Sequence, residues 1–103
     1  MYRLEYQPAA LRDLVEIAQY ISQELCSPAA AQTLAMRVIE ACESLLQFPY
    51  SSPVYQPLRP LRYEYRKRIV RNYAVFYRVD EDKKLVTVAR VIYARREYGR
   101  LLE

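Results

Sequence analysis

The chain has 103 residues, 52% of them hydrophobic and 27% charged. That length specifies one domain with a modest core, the composition excludes a disordered chain, and no apolar run nears the roughly 18–20 residues of a membrane span. The 16 basic and 12 acidic residues leave a formal net charge of +4, which favours an anionic partner without choosing between nucleic acid and protein.

Residues 2–7 alternate polar and apolar side chains and predict a short strand, which Pro8 ends. Nothing in Met1–Tyr6 resembles the apolar core of a leader peptide, so the expectation is a cytoplasmic protein with no membrane association. From Ala9 the period changes. Leu11, Leu14, Val15, Ala18, Ile21 and Leu25 recur at steps of three and four and mark one face of a helix, with Arg12, Asp13 and Glu16 among the residues of the polar side.

Ser27-Pro28 starts a second helix, the serine as a cap and the proline in the first turn. It is predicted to run to about Gln47, with Ala31, Leu34, Ala35, Val38, Cys42 and Leu45 on its apolar face, until Pro49 stops it. The short link between the helices predicts an antiparallel hairpin. Four prolines in residues 49–60 exclude both a helix and a central strand, and predict an ordered, extended crossover.

Strand patterns follow. Tyr63–Val70 is one candidate and Arg71-Asn72 a turn. In Tyr73–Val79, Tyr73, Val75, Tyr77 and Val79 lie on one face, and Ala74, Phe76 and Arg78 on the other. Asp80–Lys83 is a polar turn, and Leu85–Tyr93 a valine-rich third strand of an antiparallel meander. The expected architecture is α+β in two layers, β-α-α-β-β-β, a helical hairpin on a small antiparallel sheet within a single domain at residues 1–103. Residues 94–103 form a charged tail.

Several chemistries are missing. With no histidine, the usual neutral-pH acid–base group and the triads built on it are absent. The single glycine excludes a glycine-rich phosphate loop. Cys26 and Cys42 fall on helical apolar positions and are expected to be reduced and packed as small hydrophobes, with no metal or cofactor. Two basic clusters remain: Arg66-Lys67-Arg68 with Arg71, and Tyr93-Ala94-Arg95-Arg96-Glu97-Tyr98-Gly99-Arg100 at the exit of the last strand. Each alone reads equally as a solvated charge run. Converging on one sheet, they offer forks and rings to phosphates and bases. With 11 tyrosines and two phenylalanines, the aromatic set reads either as half-exposed strand positions or as a surface where rings and cations interleave. A ribonuclease without histidine would stabilise the phosphorane with lysine and arginine and move the proton with a tyrosine or lysine.

Tyr73–Asp80 followed by Val86–Tyr98 resembles the C-terminal signature of the RelE/ParE toxin superfamily, and Tyr6–Leu14 and the proline-rich loop after Pro49 resemble its opening and its crossover. The resemblance implies a toxin of a type II toxin–antitoxin pair, held in a heteromeric complex by a cognate, acidic antitoxin. RelE-like members cut mRNA on the ribosome, and Lys67, Arg68, Arg96 and Tyr98 are the residues that match or lie near that pattern. ParE-like members poison DNA gyrase. Ala74 stands where the ribonuclease pattern has an arginine, and the Phe76–Val79 and Val91–Arg96 segments look more ParE-like. On that branch Arg66, Lys67, Arg68, Arg71, Tyr93, Arg95 and Arg96 are expected to bind the target. An inactive relative that only binds antitoxin is the third reading.

Overall fold

In the computed structural model, residues 1–94 and Leu102 are described. The order is β1 (Arg3–Tyr6), α1 (Pro8–Gln19), a five-residue π-helical turn (Tyr20–Glu24), α2 (Pro28–Ser44), β2 (Arg66–Val70), β3 (Tyr73–Asp80) and β4 (Leu85–Tyr93). The α+β architecture and the β-α-α-β-β-β order stand as expected.

The sheet order is β1-β4-β3-β2. β2, β3 and β4 form the expected meander, while β1 joins β4 in parallel, with Arg3 opposite Leu85 and Tyr6 opposite Val88, so the sheet is mixed. The two helices that follow β1 carry the chain back across the sheet, as a parallel pairing requires. The β3–β4 register shifts between Phe76 and Tyr77, whose partners are Arg90 and Val88, and Ala89 is the extra residue of a bulge. Both two-sided hairpin turns use a non-glycine residue in the left-handed region, Arg71 at φ 56° and Lys84 at φ 52°.

One face of the sheet packs under the helical hairpin. Ala10, Val38 and Cys42 meet Val75, Val88 and Val91 there, and Leu45 meets Tyr77 and Val86 further along. The other face is also covered. Tyr65 and Leu102 are buried against Ala74, Phe76, Ala89 and Ile92, with Tyr55 and Leu61 of the crossover closing over them. Four consecutive buried residues on β3, Ala74–Tyr77, follow from this double cover, because alternation sends neighbours to opposite faces. The crossover is therefore a working layer of the domain. Tyr77 Oη donates to the Pro49 carbonyl at 2.9 Å and pins its start. The Lys67 amide donates to the Pro53 carbonyl at 3.1 Å, which lays the loop along the outer edge of β2.

Two expectations for the helices change. On α1, Leu11 and Val15 are 50% and 56% exposed, and the buried positions are Ala10 and Asp13. The inward face is rotated by about one residue because Asp13, expected on the polar side, turns in to serve β4. On α2, Ser27 occupies the capping position but makes no side-chain cap bond; its carbonyl accepts the Ala31 amide at 3.1 Å. Among the described residues, no helix is long and apolar enough to cross a membrane.

Candidate functional site

β1 accompanies β4 only as far as Val88, so among the described residues the outer edge of β4 beyond that point has no strand beside it. α1 fills the gap. Asp13 Oδ2 accepts the Val91 amide at 2.9 Å, and Arg90 donates to the same carboxylate from Nε at 2.7 Å and Nη2 at 2.8 Å. The carboxylate holds the guanidinium charged and raises its pKa further. Beside this pair opens a cleft of about 1040 Å³ between the π-helical turn and the end of the sheet, with Tyr20, Ile21, Leu34, Tyr73 and Tyr93 among its walls. The rings of Tyr73 and Tyr93 meet edge to face at 5.6 Å.

The basic residues singled out in the sequence are spread around the sheet. Arg71 and Tyr93 line the mouth of this cleft. Arg68 faces the helices, in a shallow recess of about 380 Å³ that it shares with Arg37 and Arg71. Lys67 points the other way, its Nζ 5.9 Å from the centroid of the Tyr55 ring. Arg66 is held by the crossover: its Nη1 donates to the carbonyls of Ser52 at 2.7 Å and Tyr50 at 3.3 Å, and its guanidinium lies 4.9 Å from the Tyr50 ring centroid. Strand alternation separates Lys67 from Arg68 by the thickness of the sheet. Arg95, Arg96 and Tyr98 lie outside the described residues.

A second recess, about 450 Å³, lies at the β3–β4 turn between Tyr50, Tyr63, Arg66, Arg78 and Thr87. Arg78 sits over Tyr63 with its guanidinium carbon 3.9 Å from the ring centroid, and hydrogen bonding and charge from Arg78 lower the Tyr63 phenol below its ordinary pKa. At its rim Glu81 accepts hydroxyl protons from Tyr2 and Tyr50, each at 2.6 Å, and pairs with Lys84. These contacts, Lys84 first, hold the carboxyl at about 2. Sequence reading placed Arg78 on the correct strand but attached no role to it. The signal was present in the alternation, which sets Arg78 on the same face as Ala74 and Phe76, away from the helices.

Among the described residues no group of three or more potential ligands could hold a metal ion. Among the described residues the arrangement sets an apolar cleft at one end of the sheet and fixed arginines at the other, features that suit binding of a partner.

Residues 4–98 match the model of the family described as the ParE toxin of the type II toxin–antitoxin system parDE. Among solved structures, the chain is similar to the chromosomal ParDE system of P. aeruginosa, with a TM-score of 0.72 and 18% identity over 92% of this chain and 98% of that one. It is similar to the intact RelBE complex of E. coli, at 0.64 and 20% over 93% and 100%, and to the RelBE2 complex of Mycobacterium tuberculosis, at 0.62 and 22% over 89% and 96%. At these identities the likeness is one of fold. None of the curated proteins matches the chain.

Proposed function

The chain belongs to the ParE toxin family of type II toxin–antitoxin systems, and on that premise we propose that it arrests growth by binding DNA gyrase and does not cut mRNA. It acts in the cytoplasm and is neutralised there by a cognate acidic antitoxin, as the solved relatives are toxin–antitoxin complexes.

The observation that carries this reading is the cover over the sheet face away from the helices. A ribonuclease needs cations gathered round a phosphate so that charge developing on the phosphorane is met. Here Ala74, where the ribonuclease pattern has an arginine, is fully buried, beneath the layer to which Tyr55, Leu61 and Tyr65 belong. Lys67 is laid against Tyr55, and Arg68 stands on the opposite side of the sheet. A protein-binding toxin has no such requirement. Its cleft and basic rim can serve as they stand.

The test is induced expression of the chain alone in a bacterial host, with DNA breaks and mRNA 5′ ends followed in the same cultures. Arrest with filamentation, DNA breaks and intact mRNA is the expected result. New mRNA ends within codons would overturn it in favour of the ribonuclease. Absence of arrest in a host whose gyrase binds the purified chain would point to an inactive relative.

A further inference from the structure

The helical hairpin carries more apolar surface than the sheet takes up. At about 100° per residue, the apolar positions of α1 run from Ile17 round to Val15 over about 160°, where a core-facing helix uses a stripe of roughly 100°. Ala10 is buried within that arc, while Leu11 and Val15 at its far end are 50% and 56% exposed. α2 repeats the pattern. Val38 and Cys42 are buried, and Met36 and Ile39 are 54% and 43% exposed. These four side chains share one surface. On α1, Asp13 turns to β4, so Leu11 and Val15, on the opposite flank, turn towards α2 beside Ala18, which lines the contact between the helices. On α2, Arg37, Ala41 and Ser44 border β2, so Met36 and Ile39 lie on the flank towards α1, beside Ala35. An apolar stripe therefore runs along the outside of the hairpin, and among the described residues it is left open.

We propose that this stripe is a self-association face, and that two copies of the chain pair through it, α1 of one protomer lying along α2 of the other. The charges beside the stripe select a second copy. Arg12 flanks it on α1, and Glu40 and Glu43 flank it on α2, all three exposed. Among the described residues none of them forms a salt bridge. The helices are antiparallel, which sets the first turns of α1 level with the last turns of α2, so Arg12 stands at the height of the two glutamates. A twofold axis parallel to the helices keeps each residue at its height and lays α1 on the partner's α2. Arg12 of each protomer then meets the glutamates of the other, and the contact closes at two copies.

An acidic partner is matched less well here, where two glutamates stand against one arginine, than at the β2 edge, where Arg37, Arg68 and Arg71 gather. Two stacked hairpins form a four-helix arrangement, in which side chains spaced by three and four residues, as Met36 and Ile39 or Leu11 and Val15 are, interdigitate. Two short helices a side make a small interface, so the expected dimer is weak, with a dissociation constant on the order of 10–100 µM. Paired in this way, the protomers turn their crossover layers outward. The inference does not depend on gyrase being the target.

The experiment is sedimentation velocity of the full-length chain, purified free of antitoxin, from about 5 to about 300 µM, which brackets the expected constant. The expected result is a reversible rise from the mass of one 12.3 kDa chain towards that of two. Val15→Glu sets a charge in the stripe and should weaken association about tenfold or more. Arg12→Glu alone, and Glu40→Lys with Glu43→Lys, should each weaken it as well, because like charges then face each other. Mixing those two charge-reversed proteins should restore association, since every pair across the axis is again opposite in sign. That rescue is intermolecular and cannot arise from a folding defect. A parent that stays monomeric throughout overturns the proposal, and loss of antitoxin binding in Val15→Glu would then assign the stripe to the antitoxin. A dimer indifferent to Val15→Glu would also overturn it, as would a mixture that associates no better than its components.

Discussion

Asp13 on α1 and Arg90 on β4, 77 positions apart in sequence, are joined by two side-chain hydrogen bonds, and the same carboxylate accepts the Val91 amide. Their side chains are 10% and 23% exposed. Losing one member strands the other, so Asp13→Ala should destabilise the domain by about 2–4 kcal/mol, slightly below the full range for buried pairs because the cleft admits water to Arg90. Asp13→Asn keeps an acceptor for the amide and should cost about 1–2 kcal/mol. Urea unfolding of both variants checks the order. If Asp13→Ala lies within experimental error of the parent, the carboxylate is not what fastens α1 to the sheet edge.

Tyr77 is fully buried, and its hydroxyl is the anchor of the crossover at the Pro49 carbonyl. Tyr77→Phe keeps the ring and leaves that carbonyl without its donor, for an expected loss of about 1–2 kcal/mol. The effect should be local as well as global. Amide exchange at Tyr55 and Lys67, whose N–H groups tie the loop to Tyr65 and to β2, should quicken more than exchange in β4. Uniform acceleration would show that the hydroxyl contributes only to global stability.

How much of this was legible beforehand can be traced through particular residues. The change of period at Ala9, the Ser27-Pro28 start and the two hairpins are local signals, and local signals gave the element order. Asp13 was misplaced because a carboxylate in an amphipathic pattern scores as surface, and its partner Arg90 is distant in sequence. The direction of β1 was hidden for the same reason: alternation reports which face a residue takes, but not which strand lies alongside. Alternation did predict that Lys67 and Arg68 diverge. It could not predict that Tyr55 would cover Lys67, since that depends on how a proline-rich loop folds back.

Glu81 ties β1, the crossover and the β3–β4 turn together through Tyr2, Tyr50 and Lys84. Its carboxyl titrates at about 2 in the folded protein against an ordinary 4.5. A depressed folded-state pKa means stabilisation that is complete above about 4.5 and lost as pH falls towards 2. Glu81→Gln should therefore melt lower than the parent at neutral pH, with the gap closing between those two values. Thermal melts across this range test it. A gap independent of pH would mean that the glutamine disturbs packing, and the ionised carboxylate would not be the cause.

The two cysteines should differ in reactivity. Cys26 is exposed and Cys42 buried. Burial pushes the Cys42 thiol up to about 11, and the thiolate is the reactive form. A chromogenic disulfide reagent should label one equivalent rapidly at neutral pH, and the second only as the domain unfolds. The Cys26→Ser variant should show only the slow phase. Rapid labelling of that variant would mean that α2 opens from the sheet far more readily than its buried contacts imply.

The phenols of the β3–β4 end should separate on titration. Tyr63 is lowered from the ordinary 10.0, first by its hydrogen bond with Arg78 and then by that charge, while Tyr50 is pushed up to about 12 by its bond to Glu81. The signs of linkage are opposite. Tyr50 stabilises the fold below about 10 and loses that contribution as pH rises to about 12. Tyr63 becomes more favourable to the folded state as its phenolate forms. NMR of ring-labelled tyrosine can follow each residue. In Arg78→Gln the Tyr63 midpoint should rise, because the largest cause of its lowering is gone. A Tyr63 midpoint that does not move in Arg78→Gln would show that Arg78 is not what lowers it.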